Sequence, residues 1–381
     1  MNQGPAFAPS RTLSAVVLAA GEGTRMRSER PKPLHRLCGR PMLLHVLHAL
    51  AGLGLDRVVV VVGHGGERVV KAVAEEAPPG LPVEFVEQRV QRGTGDAVSV
   101  AMTVLDDDPE EGDVLVLPGD APLLRTATLV QLVAVHQATE DAATLLTARM
   151  GDPTGYGRVL RGRSGGVARV VEQADATADE AAIEEVNTSV YVFRRSVVAP
   201  ALRRLSPDNA QGEYYLTDVV AVLHDAGYTV GAVAVADPEE VAGVNDRVQL
   251  ARVEAELRRR VNAGWLTRGV TMVDPDSTYL DVTVEVASDA CIYPGTLLQG
   301  RTTVAGGAEL GPNTHLADCR VGPRAVVAAT VGRGADIGAD AHVGPWAYLP
   351  PGSRVAPGRV TGPNFTASVA EEGTGPSGAH P

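Results

Sequence analysis

The sequence predicts two domains: an α/β domain with a mostly parallel, Rossmann-like sheet, then a short parallel β-helix of hexapeptide repeats. Three observations predict this. From Leu13 to about residue 250, strand-like and helix-like segments alternate, the pattern of parallel strands covered by helices. From Val286 onward apolar residues recur every six positions, and a short fixed period means stacked coils. A glycine-rich basic loop, LAAGEGTRMRSERPKPLH (18–35), follows the first apolar run. Ligands of parallel sheets sit at the carboxyl ends of strands.

Taken in order, LSAVVLA reads as a strand and PMLLHVLHALAGLG as a helix, with Pro41 suited to a first turn. DRVVVVVG reads as a strand buried on both faces. VEFVEQ and DVLVLPGD are further strands, TATLVQLVAVHQA a helix, and AATLLTAR a strand. LARVEAELRRRVNAGWLTRG (250–269) is a charged helix leading out of the domain. The six-residue series then runs Val286, Ile292, Leu298, Val304, Leu310, Leu316. After an irregular stretch it resumes at Val331, Ile337, Val343, Leu349 and Val355. The expected boundaries are a flexible tail 1–12, the α/β domain 13–250, a linker helix 251–268, the β-helix 269–362 and a flexible tail 363–381.

Composition narrows the function. The chain of 381 residues carries a net charge of −12 and only 4% aromatics, so nucleic-acid binding by bulk electrostatics is excluded. An acidic protein that handles phosphates needs a local cationic pocket, a metal ion, or both. Three distant cysteines, Cys38, Cys291 and Cys319, fit free thiols in a reducing compartment rather than a disulfide framework or zinc site. LSAVVLAA could imitate a signal-peptide core, but it leads straight into a charged loop. No apolar run approaches the roughly 20 residues of a membrane span. The protein is therefore expected in the cytoplasm.

The loop admits few phosphate chemistries. GxxxxGK[ST] spacing is absent, and GEGTRM has Met26 where a dinucleotide fingerprint needs its third glycine. Two readings remain: a nucleotidyltransferase loop, or a solvent-facing basic loop. In the first, the Gly21–Gly23 backbone cradles a triphosphate while Arg25 and Lys32 neutralise it. Lys32 stands between Pro31 and Pro33, a stiff segment that would aim its ammonium.

The loop does not stand alone. EQRVQRGTGDAV, PGDAPLL, PTGYGRV, VVEQADAT, EEVNTSVYVF, NAQGEYYLTDVV and VAGVNDRVQLARVE follow it in this order. Over roughly residues 13–260 the sequence resembles bacterial N-acetylglucosamine-1-phosphate uridylyltransferase, the N-terminal half of a bifunctional enzyme that makes UDP-N-acetylglucosamine. The repeat region resembles the first coils of that enzyme's acetyltransferase domain, a left-handed β-helix that usually trimerises.

The resemblance implies roles residue by residue. Arg25 and Lys32 would be catalytic. Leu18, Ala19, Ala20, Gly21, Gly23, Gln88, Gly93 and Thr94 would bind UTP, with Gln88, Gly93 and Thr94 reading the uracil edge. Gly157, Glu172, Asn187, Tyr215 and Thr217 would hold the sugar 1-phosphate. Asp120 and Asn245 would be the ligands of Mg²⁺, a hard ion suited to carboxylate, amide and phosphate oxygens. Outside this context Asp120 would be a turn aspartate and Asn245 a helix cap. The implied reaction is in-line attack of the sugar phosphate on the α-phosphorus of UTP, with pyrophosphate leaving.

There are departures. Pro350 stands where the family has an arginine, Val369 about where it has a lysine, and the coils carrying its catalytic histidine do not follow. No acetyltransferase activity is expected. Ser189 replaces a usual glycine, and Pro118 precedes Gly119–Asp120 where an aromatic is common. These bear on the preference for an acetamido sugar; glucose 1-phosphate and dTTP are the rival substrates within this enzyme class. A non-catalytic nucleotide-sugar-binding scaffold is the second class; the retained Lys32, Asp120 and Asn245 argue against it.

Overall fold

The computed structural model describes residues 9–63, 66–105, 112–163 and 165–367. The chain divides into two compact units. The first runs through His35 and from Pro41 to Val253; the second takes Arg36–Arg40 and continues from Glu254. The expected tails fall largely on residues outside the described ones, as does Val369.

The first unit is built on nine strands: β1 Leu13–Ala19, β2 Arg57–Val62, β3 Val83–Glu87, β4 Asp113–Pro118, β5 Ala143–Arg149, β6 Arg158–Arg161, β7 Val167–Val171, β8 Glu185–Arg194 and β9 Val230–Ala234. The sheet order is β9-β5-β8-β4-β1-β2-β3, with β6 and β7 appended to β8. β1 pairs parallel with both β2 and β4. β8 is the antiparallel exception, between β4 and β5.

Apolar runs make these strands because both faces are covered. Leu13, Ala15 and Val17 join one buried cluster with Val58, Val60 and Leu115. Val16 joins the other with Val59, Val61 and Val114. Successive side chains point to opposite faces, so a strand sandwiched between helices must be apolar at every position. β1 also sits centrally, which places the end of LSAVVLA beside the ends of β2 and β4.

The second unit contains three five-stranded parallel sheets, the faces of a left-handed β-helix. Tyr279 pairs with Leu297, eighteen residues on, so each coil spends three six-residue steps. Ile292, Leu298, Leu310, Leu316 and Leu349 are fully buried inside it. Buried corner threonines satisfy their hydroxyls on turn carbonyls: Thr296 Oγ1 donates to Tyr293 O and Thr302 Oγ1 to Gln299 O, each at 2.7 Å.

The irregular stretch has a physical cause. Arg320 pairs with Asp336, only sixteen residues on, so one coil is shortened. The inward positions there are Val321, Val327, Gly332 and Ile337. Val331, expected inward, is 50% exposed, and Gly332 takes its place.

Five residues from early in the sequence also belong to this unit. Cys38 N donates to Glu254 Oε2 at 2.9 Å, and Val282 N donates to Cys38 O at 3.0 Å. Gly39 has φ +79, and a Cβ there would lie 2.3 Å from the Asp281 carboxyl carbon. Only glycine fits that turn. Pro350 sits at a later corner, where its carbonyl accepts from Ser353 N at 3.1 Å.

Candidate active site

A cavity of about 410 Å³ lies at the carboxyl ends of β1 and β4. Gly119 N donates to Leu18 O at 2.8 Å, which ties the two strand ends together. Leu18, Ala19, Ala20 and Gly21 line the cavity from β1, and Pro118, Gly119 and Asp120 from β4. This is where a parallel sheet leaves backbone groups free for a ligand.

Lys32 enters from the loop after β1, on a short 3₁₀ turn Lys32–Leu34 anchored by buried Pro33. Its Nζ donates to Asp120 Oδ2, and to Asn245 Oδ1 at 2.9 Å. Arg25 NH2 donates to the same Asn245 oxygen at 3.1 Å. Asn245 is carried in by the turn in which Val244 N donates to Asp120 O at 3.0 Å. Four residues spread over 220 positions of sequence therefore meet at one point.

Gly23 has a different place from the one expected. It is absent from the cavity lining and lies under the Lys32 stem, where its missing Cβ would be 2.7 Å from Lys32 Cβ. Its φ of +64 turns the chain there. Arg25 reaches the site through Asn245 and does not line the cavity.

On the other wall, Gly93 caps the helix Thr94–Val104 at φ +106, and a Cβ there would strike Tyr214 O at 2.7 Å. Leu216 N donates to Thr94 Oγ1 at 3.1 Å and Tyr214 N to Arg92 O at 2.7 Å, so the distant segment 214–216 clamps this turn. Gln88 is buried. Its Nε2 donates to Gly93 O at 3.1 Å and to Asp96 Oδ2 at 2.8 Å. With both amide hydrogens committed, its remaining polar atom is an acceptor.

The expected sugar residues are contiguous. Asn187 lines the cavity, its backbone N donating to Gly157 O at 2.8 Å. Gly157 faces Glu172, whose Oε2 would be 3.4 Å from an added Cβ. Thr217 Oγ1 donates to Glu172 Oε1 at 3.0 Å. Burial pushes the Glu172 carboxyl up, and the nearby Asp218 and Asp175 charges add to this against the Thr217 hydrogen bond. Tyr215 is pushed up to about 12, first by burial and then by Asp175 and Glu172. Asn187 Nδ2 donates to Tyr191 OH at 2.7 Å, while its buried Oδ1 has no partner. A buried unpaired acceptor needs a donor, from a ligand or from an ordered water. Gly157, Glu172, Tyr215 and Thr217 stand behind Asn187 rather than in the cavity wall.

Gln91, Tyr156 and Glu213, not among the expected residues, also line the cavity. Gln91 Nε2 donates to Ala20 O, bracing the loop after β1. Its only signal was its place three residues after Gln88 in EQRVQRGTG. Ser189 lines the cavity at φ +60, within the bulge between Asn187 and Val190.

Comparison with known proteins gives the family. A family model described as "MobA-like NTP transferase domain" matches residues 15–226. The chain is 52% identical over 326 residues to the bifunctional protein GlmU of Mycolicibacterium vanbaalenii, covering 85% of this chain and 66% of that protein. It is 49% identical over 328 residues to GlmU of Thermobifida fusca, covering 86% and 67%. To GlmU of Caldanaerobacter subterraneus it is 44% identical over 310 residues, covering 81% and 66%. The chain thus spans about two thirds of the length of these curated relatives. On the domain match and these identities, the chain belongs to the MobA-like NTP transferase domain family and, within it, to the GlmU proteins.

Proposed function

We propose that this cavity transfers a uridylyl group from UTP to N-acetylglucosamine 1-phosphate, releasing pyrophosphate. The observation that carries the proposal is the convergence of Lys32, Asp120 and Asn245 at the strand ends, in one cavity with Gln88, Gly93, Thr94 and Asn187. Gln88 offers an acceptor to the N–H edge of uracil. Asn187 Oδ1 awaits a donor such as a sugar hydroxyl or an acetamido N–H. Lys32 and Arg25 bring positive charge to a triphosphate, and the backbone at Ala20–Gly21 lets it approach. In-line displacement needs no covalent enzyme intermediate, so these residues bind, align and neutralise.

The donor set fits Mg²⁺. Asp120 Oδ2 and Asn245 Oδ1 both bond one ammonium nitrogen, so the two oxygens already converge within reach of a single cation. A carboxylate and an amide oxygen suit a hard ion that keeps waters and phosphate ligands. When bound, Mg²⁺ would polarise the phosphate oxygens and offset charge at the α-phosphorus.

Ser189 favours a second sugar. Ser189 lines the cavity beside Asn187, where its side chain takes room that the family's usual glycine would leave, which supports glucose 1-phosphate as a competitor. Pyrophosphate release across UTP, dTTP and both sugar 1-phosphates tests the reading. No release with any pair would leave the scaffold class in place.

Assembly and location belong to the same proposal. In register on one β-helix sheet stand Tyr279, Leu297, His315, Val331 and Tyr348. Tyr279, Val331 and Tyr348 are 43%, 50% and 50% exposed. An apolar ladder of this kind supports packing of like chains, and we read it as a homotrimer surface; light scattering of the full chain checks the mass. All three cysteines are free thiols, consistent with the cytoplasm. Among the described residues no helix is long and apolar enough to cross a membrane. Pro350 offers no charge at its corner, which supports the expected lack of acetyl transfer; a free-thiol assay with acetyl-CoA and glucosamine 1-phosphate tests it.

A further inference from the structure

We propose that Lys32 is the resident cation of the Asp120–Asn245 pair, competing with the divalent ion for the same two oxygens until a triphosphate draws its ammonium away. This rests on reading Asp120 and Asn245 as metal ligands. The ammonium donates to Asp120 Oδ2 and to Asn245 Oδ1 at 2.9 Å, the two atoms a metal would need. The pair is shielded, the Lys32 and Asp120 side chains being 13% and 27% exposed.

The Lys32 stem is built to hold this position. Gly23 makes room for it, and Pro33 anchors its turn. The residue type also fits. The chain has 34 lysines and arginines, yet only Lys32 and Lys71 are lysine. An ammonium is a compact point charge with three rotatable donors, able to bond two converging oxygens and turn a third N–H to phosphate. A planar guanidinium cannot take an ion's place in that way. Arg25, which donates to the same Asn245 oxygen at 3.1 Å, keeps the amide oxygen aimed while the occupant changes.

The exchange balances. Lys32 gives up its bonds to Asp120 and Asn245 and remakes them to phosphate oxygens. The freed carboxylate keeps its negative charge for the incoming ion. Ion and nucleotide therefore assist each other's binding, and the coupling is reciprocal. Without nucleotide the site is guarded against divalent ions by its own lysine.

The test uses Mn²⁺ as the probe, counted by the electron paramagnetic resonance of the free ion, on the full chain without nucleotide. Lys32→Met should bind Mn²⁺ about tenfold tighter than wild type, and Lys32→Met/Asp120→Asn should lose that gain. If Lys32→Met binds no tighter while Asp120→Asn weakens wild-type binding, the exchange is wrong and the metal reading stands. If Asp120→Asn changes nothing in either background, the metal reading itself falls, and the exchange with it. Wild-type protein labelled in lysine gives a second measurement, with two side-chain NMR signals and Lys71 as internal control. The Lys32 signal should move on Asp120→Asn, and again with UTP in EDTA. A Lys32 signal indifferent to both would overturn the proposal without any lysine variant.

Discussion

The two units solve burial in opposite ways. In the β-helix, each inward residue pairs with a neighbour one coil along, as Ile292 does with Leu310. In the α/β unit, β1 pairs with strands that begin at Arg57 and Asp113, and β8 inserts between β4 and β5. A stacked coil repeats one local rule, so its sequence is periodic and its outer surface regular. A mixed sheet gathers distant segments, and where their ends meet it leaves a cavity with Lys32, Asp120 and Asn245 in it. The lesson is that regular burial makes a scaffold, whereas irregular convergence makes a site.

The comparison breaks first on stability. Leu316 is fully buried in the coil and Val273, outside the proposed trimer ladder, is 58% exposed. Leu316→Ala should cost about 2–5 kcal/mol in denaturant unfolding, and Val273→Ala within about 0.5 kcal/mol. Equal costs would mean the inward register is wrong. Next comes turnover. Asp120→Ala should lower kcat by about a hundredfold or more. Arg324→Ala, which removes an exposed ion pair with Asp340 in the coil, should leave pyrophosphate release unchanged. Full activity in Asp120→Ala would remove the carboxylate from the chemistry.

Smaller effects are expected within the site. Gly23→Ala would force a Cβ against Lys32 at φ +64. About tenfold lower kcat/KM is expected, with a stability loss of about 1–2 kcal/mol. A stability loss without an activity loss would show that Gly23 does not position Lys32. The smallest effect is a pH dependence. Folded Glu172 holds its proton to higher pH than the unfolded chain does, chiefly because it is buried. Wild type therefore loses stability as pH rises from the ordinary glutamate range through the raised value, whereas glutamine there does not titrate. The thermal midpoint of Glu172→Gln minus that of wild type should become more positive between pH 4 and pH 8. A constant difference would place Glu172 in solvent.

Short-range rules account for everything that was legible before folding. Alternating apolar runs meant a parallel sheet, because such strands are covered on both faces, as Val58–Val62 are. A six-residue period meant coils, because each coil repeats the same side-chain demand. The ordered motifs, from Gly21 and Lys32 through Gln88 and Asp120 to Asn187 and Asn245, were legible as residue types at fixed spacings. What each one touches follows from the folded chain. It put Gly23 under Lys32 rather than in the cavity wall, and Glu172 and Thr217 behind Asn187. It added Gln91 through a bond to the Ala20 carbonyl, and gave Arg36–Arg40 to the second unit. It turned Val331 outward, because a sixteen-residue coil shifts the register by what it lacks. Contacts of this kind depend on which distant backbones approach within a few ångströms, and no local pattern of side chains records that distance.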